Sequence, residues 1–315
     1  MLRLFVFLIA SLVFLAPFSS NASQPTKIIV LFGPGGTSDV IARYFANKLT
    51  DKLNESVVVE NRPGANGIVG ISAVTRAPSD GKTLLVGTNT PLSVLPAIEK
   101  DLPFDPLTDL TPVSGLVRVS NVFVVAADSK FKNLAGLVSS AKKTPSKLTI
   151  GTFSVGHQLT VQWLSELAGI KLVNVPYKGA GEILTNLIGG QIDVASIDLP
   201  AAAPLLRSGK VRALALSGED RSEAFPDIPT VRESYPDYVS YSWIAFYIRA
   251  KSPTDDSKRL TEAVQEILKL PETKTFISGL GAEPMPLDPH EMHTLQKTEI
   301  DRFKRLAQTA GMATK

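Results

Sequence analysis

The sequence predicts an α/β protein of two lobes, with mainly parallel sheets, helices on both faces and two crossover strands. Short apolar runs alternate with amphipathic helical stretches at the spacing of βαβ units. The chain has 315 residues, enough for two domains at about 150 residues each. Two long β-rich stretches without a helix signal, 113–127 and 238–250, read as crossings between domains. A chain that leaves one lobe on the first and returns on the second makes two lobes around a cleft. Lobe 1 is then expected at 23–120 plus 243–315 and lobe 2 at 121–242. Two sequential domains would fit the same pattern.

The elements follow in order. Lys27 to Phe32 is an apolar run broken by Gly33-Pro34-Gly35-Gly36. A helix opens at Ser38, because Val40, Ile41, Tyr44, Phe45 and Leu49 share one face. Val57 to Val59 is the next strand, 61–67 is turn-rich, and a small-residue helix runs to Arg76. Thr83 to Val86 is a third strand. Further strands are expected at 148–151, 172–175, 192–196 and 211–216, separated by helices near 156–168, 179–188 and 200–207. Three helices close the chain, near 254–268, 271–280 and 288–311.

The N-terminus has the three-part layout of a secretory signal. Arg3 precedes an apolar run, Leu4 to Ala16, and the small-x-small series Ser20-Asn21-Ala22 follows, so residues 1–22 read as a signal peptide cut after Ala22. That run has 13 residues, and a spanning helix needs about 20; a retained N-terminal anchor is the alternative. No later stretch is long and apolar enough to cross a bilayer, so the mature protein is expected in the periplasm. Lys plus Arg total 33 against 30 Asp plus Glu. A net charge of +3, evenly spread, argues against a nucleic-acid partner. Cysteine is absent, which excludes thiol nucleophiles, Cys-based metal sites and disulfides.

In open α/β sheets, ligands bind beyond the carboxyl ends of the strands, so the loops there are the candidate site. Gly33, Pro34, Gly35, Gly36, Thr37, Ser38 and Asp39 follow the first strand. The glycines allow close backbone approach, and the helix start offers free N–H groups to an anion. No Gly-Lys-Ser/Thr follows, so this is not a P-loop. A simple tight turn capped by Ser38 is the alternative. Asn89 and Thr90 follow the third strand. Thr152, Phe153, Ser154, Val155, Gly156 and His157 open another helix, and two such starts facing each other would grip an anion from both lobes. Lys178 is the one cation in these loops, and Asp198 ends a further strand on the same rim.

The competing class is an enzyme. Ser154 and His157 with a distant Asp suggest a secreted hydrolase, but Gly151 lies one residue too far for G-x-S-x-G. A serine three residues before a histidine at a helix start reads better as a cap. His290 and His293 around Glu291 miss the H-E-x-x-H spacing by one residue. No acidic cluster has Ca²⁺-loop spacing. No catalytic residue, metal or cofactor is therefore expected.

The run Pro34-Gly35-Gly36-Thr37-Ser38-Asp39-Val40-Ile41-Ala42-Arg43 resembles the opening signature of the Bug-type (TctC-like) solute-binding proteins, the periplasmic receptors of tripartite tricarboxylate transporters. The likeness continues through Val59 to Gly67, Asp80 to Leu85, Val175 to Gly181, Gly189 to Asp193, Gly209 to Ala215 and Pro226 to Val231, in the family's order. It implies a Venus-flytrap fold and capture of a small carboxylate: a di- or tricarboxylate, an acidic amino acid or an aromatic acid. The loops 33–39 and 152–157 would hold one carboxylate, with His157 and Asp198 at family positions. The implied partners are the membrane subunits of such a transporter, or a sensor, with the receptor itself a monomer. Lys82, the sequence Thr152-Phe153-Ser154-Val155, and Gln158, Thr160 and Gln162 depart from the family pattern and leave the ligand open.

Overall fold

The computed structural model describes residues 24–309. The expected signal peptide, 1–22, and the last two residues of the expected 288–311 helix lie outside the described residues.

The first sheet starts with β1 (Thr26–Val30), β2 (Val57–Asn61) and β3 (Thr83–Thr88), connected through α1 (Thr37–Leu53) and α2 (Ile68–Thr75). β1 lies between β2 and β3, and both pairings are parallel. Alternation along β1 sorts its side chains to two faces. Ile28 and Val30 pack with Ile41, Phe45 and Leu49 of α1, whereas Ile29 and Leu31 pack with Ile71 and Val74 of α2. This burial on both faces explains why the strands read as continuous apolar runs rather than alternating ones. Phe45 is fully buried, edge-on to Phe246 at 5.6 Å; truncating it to alanine would cost roughly 3–5 kcal/mol.

Beyond β3 a wide helical turn, Thr90–Val94, runs into α3 (Leu95–Ile98). The chain then enters β4 (Leu110–Ala126), whose 17 residues serve two sheets. As far as Ser120 it pairs with β9 (Tyr241–Arg249), and β9 also pairs with β3. From Asn121 its partners are β7 (Val194–Asp198) and β8 (Val211–Leu216). A short β10 (Glu283–Pro284) adds to the first sheet beside β4.

The second sheet repeats the scheme of the first. α4 (Leu134–Lys143) precedes β5 (Thr149–Thr152), then α5 (Val155–Ala168), β6 (Val173–Pro176) and α6 (Ala180–Ile188) lead to β7, and α7 (Leu199–Arg207) to β8. β5 lies parallel between β6 and β7. Phe123 and Val194 face α4 and α5, while Val122 and Ile197 face α6 and α7. α8 (Thr254–Lys269), α9 (Pro271–Gly279) and α10 (Pro289–Thr309) end the chain. α8 packs with α1, and Met292 of α10 joins the α2 face of the first sheet.

The α/β class with helices on both faces stands, with one adjustment. The sheets are mixed: parallel pairing holds among β1–β3 and among β5–β7, and the long strands β4 and β9 run antiparallel to their neighbours. A strand that passes from one sheet into the other enters the second against the run of its parallel strands. Among the described residues no helix is long and apolar enough to cross a membrane.

Candidate functional site

The turns after β1 and after β5 meet. Phe32 and Phe153 pack edge to face with ring centres 5.4 Å apart. Gly33 lies against the backbone of Lys178 and Gly179 at the start of α6, close enough that a Cβ on either glycine would sit 3.8–3.9 Å from the other segment. The two helices that open here have glycine caps: Gly36 for α1 and Gly179 for α6, neither with a side-chain cap. Their first N–H groups are therefore available to an anion. Thr37, at the first position of α1, carries a buried hydroxyl with no hydrogen-bond partner. Pro34 and Gly35 are exposed.

Asp39 serves the turn itself. Its carboxylate accepts from the Gly35 N–H at 3.0 Å and from Arg43 Nε at 3.0 Å. Burial alone would push this carboxyl up; hydrogen bonds from Arg43, the Gly35 N–H and Asn61 outweigh it and hold it below the usual carboxylate range. Asn61 also donates to the Phe32 carbonyl at 3.0 Å, so the end of β2 fixes the exit of β1.

The start of α5 is filled from within. Ser154 is its cap and accepts from the His157 N–H at 3.3 Å. The Ser154 hydroxyl also lies 3.2 Å from Thr90 Oγ1 and 2.8 Å from His157 Nδ1. His157 Nε2 in turn lies 3.2 Å from Asp198 Oδ1. One consistent set of donors runs Thr90 to Ser154 to His157 to Asp198, ending on the only group that must accept. All four side chains are buried. Thr152 is used up as well, donating to Asn174 Oδ1 of β6 at 2.7 Å. His157 also packs against Phe153, with ring centres 4.2 Å apart.

Two contacts at this helix start were not legible in the sequence. Asn66 Oδ1 accepts from the Val155 N–H at 3.2 Å. It is delivered by a turn in which Ala65 (φ 46°) and Asn66 (φ 53°) both adopt the left-handed region, flanked by Gly64 and Gly67 at positive φ. At Gly156, a Cβ would stand 2.4 Å from Thr90 Oγ1, so only glycine lets the turn after β3 approach α5 this closely.

Beside these turns lies a cavity of about 110 Å³ between α5 and α10. Among the residues expected to bind ligand, Asn89 and Gly156 line it and the loop 33–39 does not. Its floor is the crossing itself: Asn121 Nδ2 donates to Thr160 Oγ1 at 3.3 Å, Ser242 donates to Asn121 Oδ1 at 3.3 Å, and Thr160 Oγ1 lies 3.3 Å from Ser240 Oγ. Asn89 Nδ2 donates to the Tyr241 carbonyl at 3.3 Å. Lys178 has an exposed side chain on the rim, and its N–H donates to Glu182.

The profile of TctC, described as the tripartite tricarboxylate transporter family receptor, matches residues 41–312. The chain belongs to this family. BugT of Bordetella pertussis is 32% identical over 308 residues, covering 95% of this chain and 94% of BugT. Among solved structures, Rpa4515 of R. palustris with adipate is 30% identical with a TM-score of 0.89, covering 92% of this chain and 98% of its own. MatC of Rhodopseudomonas palustris with bound malate is 27% identical with a TM-score of 0.84, covering 90% and 98%. This TctC-family chain is thus a periplasmic solute-binding protein by family, not an enzyme. Ser154, His157 and Asp198 do come together as the hydrolase alternative required. The serine hydroxyl, however, is buried and spent on capping α5.

Proposed function

We propose that this TctC-family protein captures a small organic acid between two lobes, 23–120 plus 243–315 and 121–242, and presents the closed form to the membrane subunits of a tripartite tricarboxylate transporter. The observation that carries this reading is the contact of the turn after β1 with the starts of α5 and α6. The turn that leads into α1 lies against the start of α6 there, and neither helix has a side-chain cap. A carboxylate fits such a cradle because helix starts carry partial positive charge and need no arginine to bind an anion. Charge-assisted hydrogen bonds of about 1.5–3 kcal/mol each, less desolvation and ordering, bring affinity into the micromolar range, about −8 kcal/mol. The residues proposed to face the acid are Gly33, Gly36, Thr37, Ser38, Asn89, Gly156 and Lys178, with Thr90, Ser154, His157 and Asp198 holding the α5 side in shape. Ligand binding then shifts the population from open to closed.

The test is a melting-temperature screen of malate, adipate, citrate, aspartate and benzoate against the purified mature chain. A ligand that binds only the folded state raises the melting temperature with concentration. At least one acid should do so, with no turnover. No shift from any of them at millimolar concentration would remove the reading.

A further inference from the structure

The turns after β2 and β3 hang on the first sheet, whereas α5, whose start they touch, packs on the second. β4 passes from one sheet to the other at Ser120 and Asn121, so these contacts cross between the two halves of the molecule. Two polar contacts make the crossing. Asn66, in the turn after β2, accepts from the Val155 N–H at 3.2 Å, and Thr90, after β3, has its hydroxyl 3.2 Å from that of Ser154. The two turns pack on each other: a Cβ on Gly67 would stand 3.2 Å from both Leu31 and Pro91. The backbone is bent to aim Asn66. It sits at φ 53°, ψ 29°, where asparagine is tolerated because its short amide bonds locally. Its neighbour Ala65, at φ 46°, has no such help, and an ordinary Cβ is disfavoured there. Strain of this kind persists only where the surroundings impose it, and it gathers at functional places. What the turn delivers is an acceptor for the other half. Val155 is the first residue of α5, and a helix cannot satisfy its own first N–H groups. Ser154 covers the His157 N–H from within; the Val155 partner comes from across the gap.

We propose that Asn66, seconded by Thr90, is a closure latch: a positioning residue that bonds the start of α5 only when the two lobes are shut, and so slows release of the acid without touching it. The inference rests on the receptor reading above and adds the control of its closed state. Parting the lobes returns the Asn66 carbonyl and the Val155 N–H to water, so the latch acts on the open–closed equilibrium whichever acid is bound. One neutral hydrogen bond is worth about 2- to 10-fold in that equilibrium. The acid enters the open form and leaves by reopening. The latch therefore acts on the release rate, koff, and leaves the entry rate, kon, as it is.

Donor and acceptor dyes on Asp51→Cys in α1 and Lys142→Cys in α4, both exposed positions in a chain without cysteine, report closure by energy transfer. Stopped-flow mixing with the most stabilising of malate, adipate, citrate, aspartate and benzoate then gives kon and koff. Asn66→Gly, which keeps the left-handed turn, is expected to raise koff about 2- to 10-fold with kon unchanged. Asn66→Asp, which keeps an acceptor and tolerates the same backbone, should restore koff. Thr90→Val, which removes the second crossing contact, should raise koff as well. An unchanged koff in both Asn66→Gly and Thr90→Val overturns the latch. So does a koff raised alike in Asn66→Gly and Asn66→Asp, or a loss of affinity carried by kon. If no acid of the panel binds, the receptor reading fails, a separate result, and energy transfer in the acid-free chain decides the latch. A lower value in Asn66→Gly than in the wild type supports it; an equal value overturns it.

Discussion

The starts of α1 and α5 follow turns that touch through Phe32 and Phe153, and they are built in opposite ways. α1 begins at Gly36 with no side-chain cap and an unpartnered Thr37 hydroxyl. α5 begins at Ser154, with its N–H groups claimed by Ser154 and Asn66 and its cap tied through His157 to Asp198. A bare helix start can receive an anion; a filled one is a rigid frame. The comparison teaches that hydroxyl and glycine content alone does not separate the two roles. What separates them is which donors the protein itself already satisfies.

The most damaging way to break the frame is Gly156→Ala. The new methyl must displace Thr90 or the helix, and overpacking costs typically 1–3 kcal/mol. Acid affinity should fall about 10- to 100-fold in calorimetry. Ser154→Ala removes the cap and the link to His157 together, with an expected loss of about 1–2 kcal/mol in urea unfolding. The same substitution at Ser38, where no cap bond exists, should stay within about 0.5 kcal/mol. Asn66→Gly keeps the left-handed turn but removes the acceptor for Val155, costing about 1 kcal/mol or less; urea unfolding measures it, and Asn66→Asp should recover most of the loss, because an acid suits a helix start.

The smallest effects are in pH dependence, and Asp39 of α1 and Glu299 of α10 differ in sign. Asp39 is held below the usual range by its contacts in the α1 turn, so the stability it adds is present above the unfolded value of 3.8 and is lost as pH falls through the folded value. Arg43→Ala should therefore weaken acid resistance. Glu299 is pushed above its ordinary 4.5 by burial, so its stability is complete below that value and is lost as pH rises through the folded one. Glu299→Gln should raise the melting temperature at neutral pH and leave it nearly unchanged at pH 4.

Much of the fold was legible because burial imposes period. β8 occupies 211–216 as the apolar run indicated, and α8 and α9 end within a residue of the expected positions. α4 escaped notice although Asn133 caps it and Leu134, Leu137, Val138 and Ala141 bury one face; Gly136 and two serines dilute its helical signal. Asn89 and Thr90 read as a loop after the third strand, yet Thr90–Ile98 is helical, with Pro91 and Pro96 each in the first turn of a helix, where proline lacks nothing. The glycine turns of the site were visible as local strings. Asn66 and Asn121 were not, because their contacts depend on neighbours far away in the chain, Val155 and Thr160.

The central claim is that an acid draws the turn after β1 and the start of α5 together. The absence of cysteine allows two spin labels, through Asp51→Cys in α1 and Lys142→Cys in α4, both exposed. The distance distribution between them, measured with and without the acid that raises the melting temperature most, is predicted to shift to a shorter, narrower peak when the acid is added. A distribution that is the same at saturating acid would contradict closure as the means of capture.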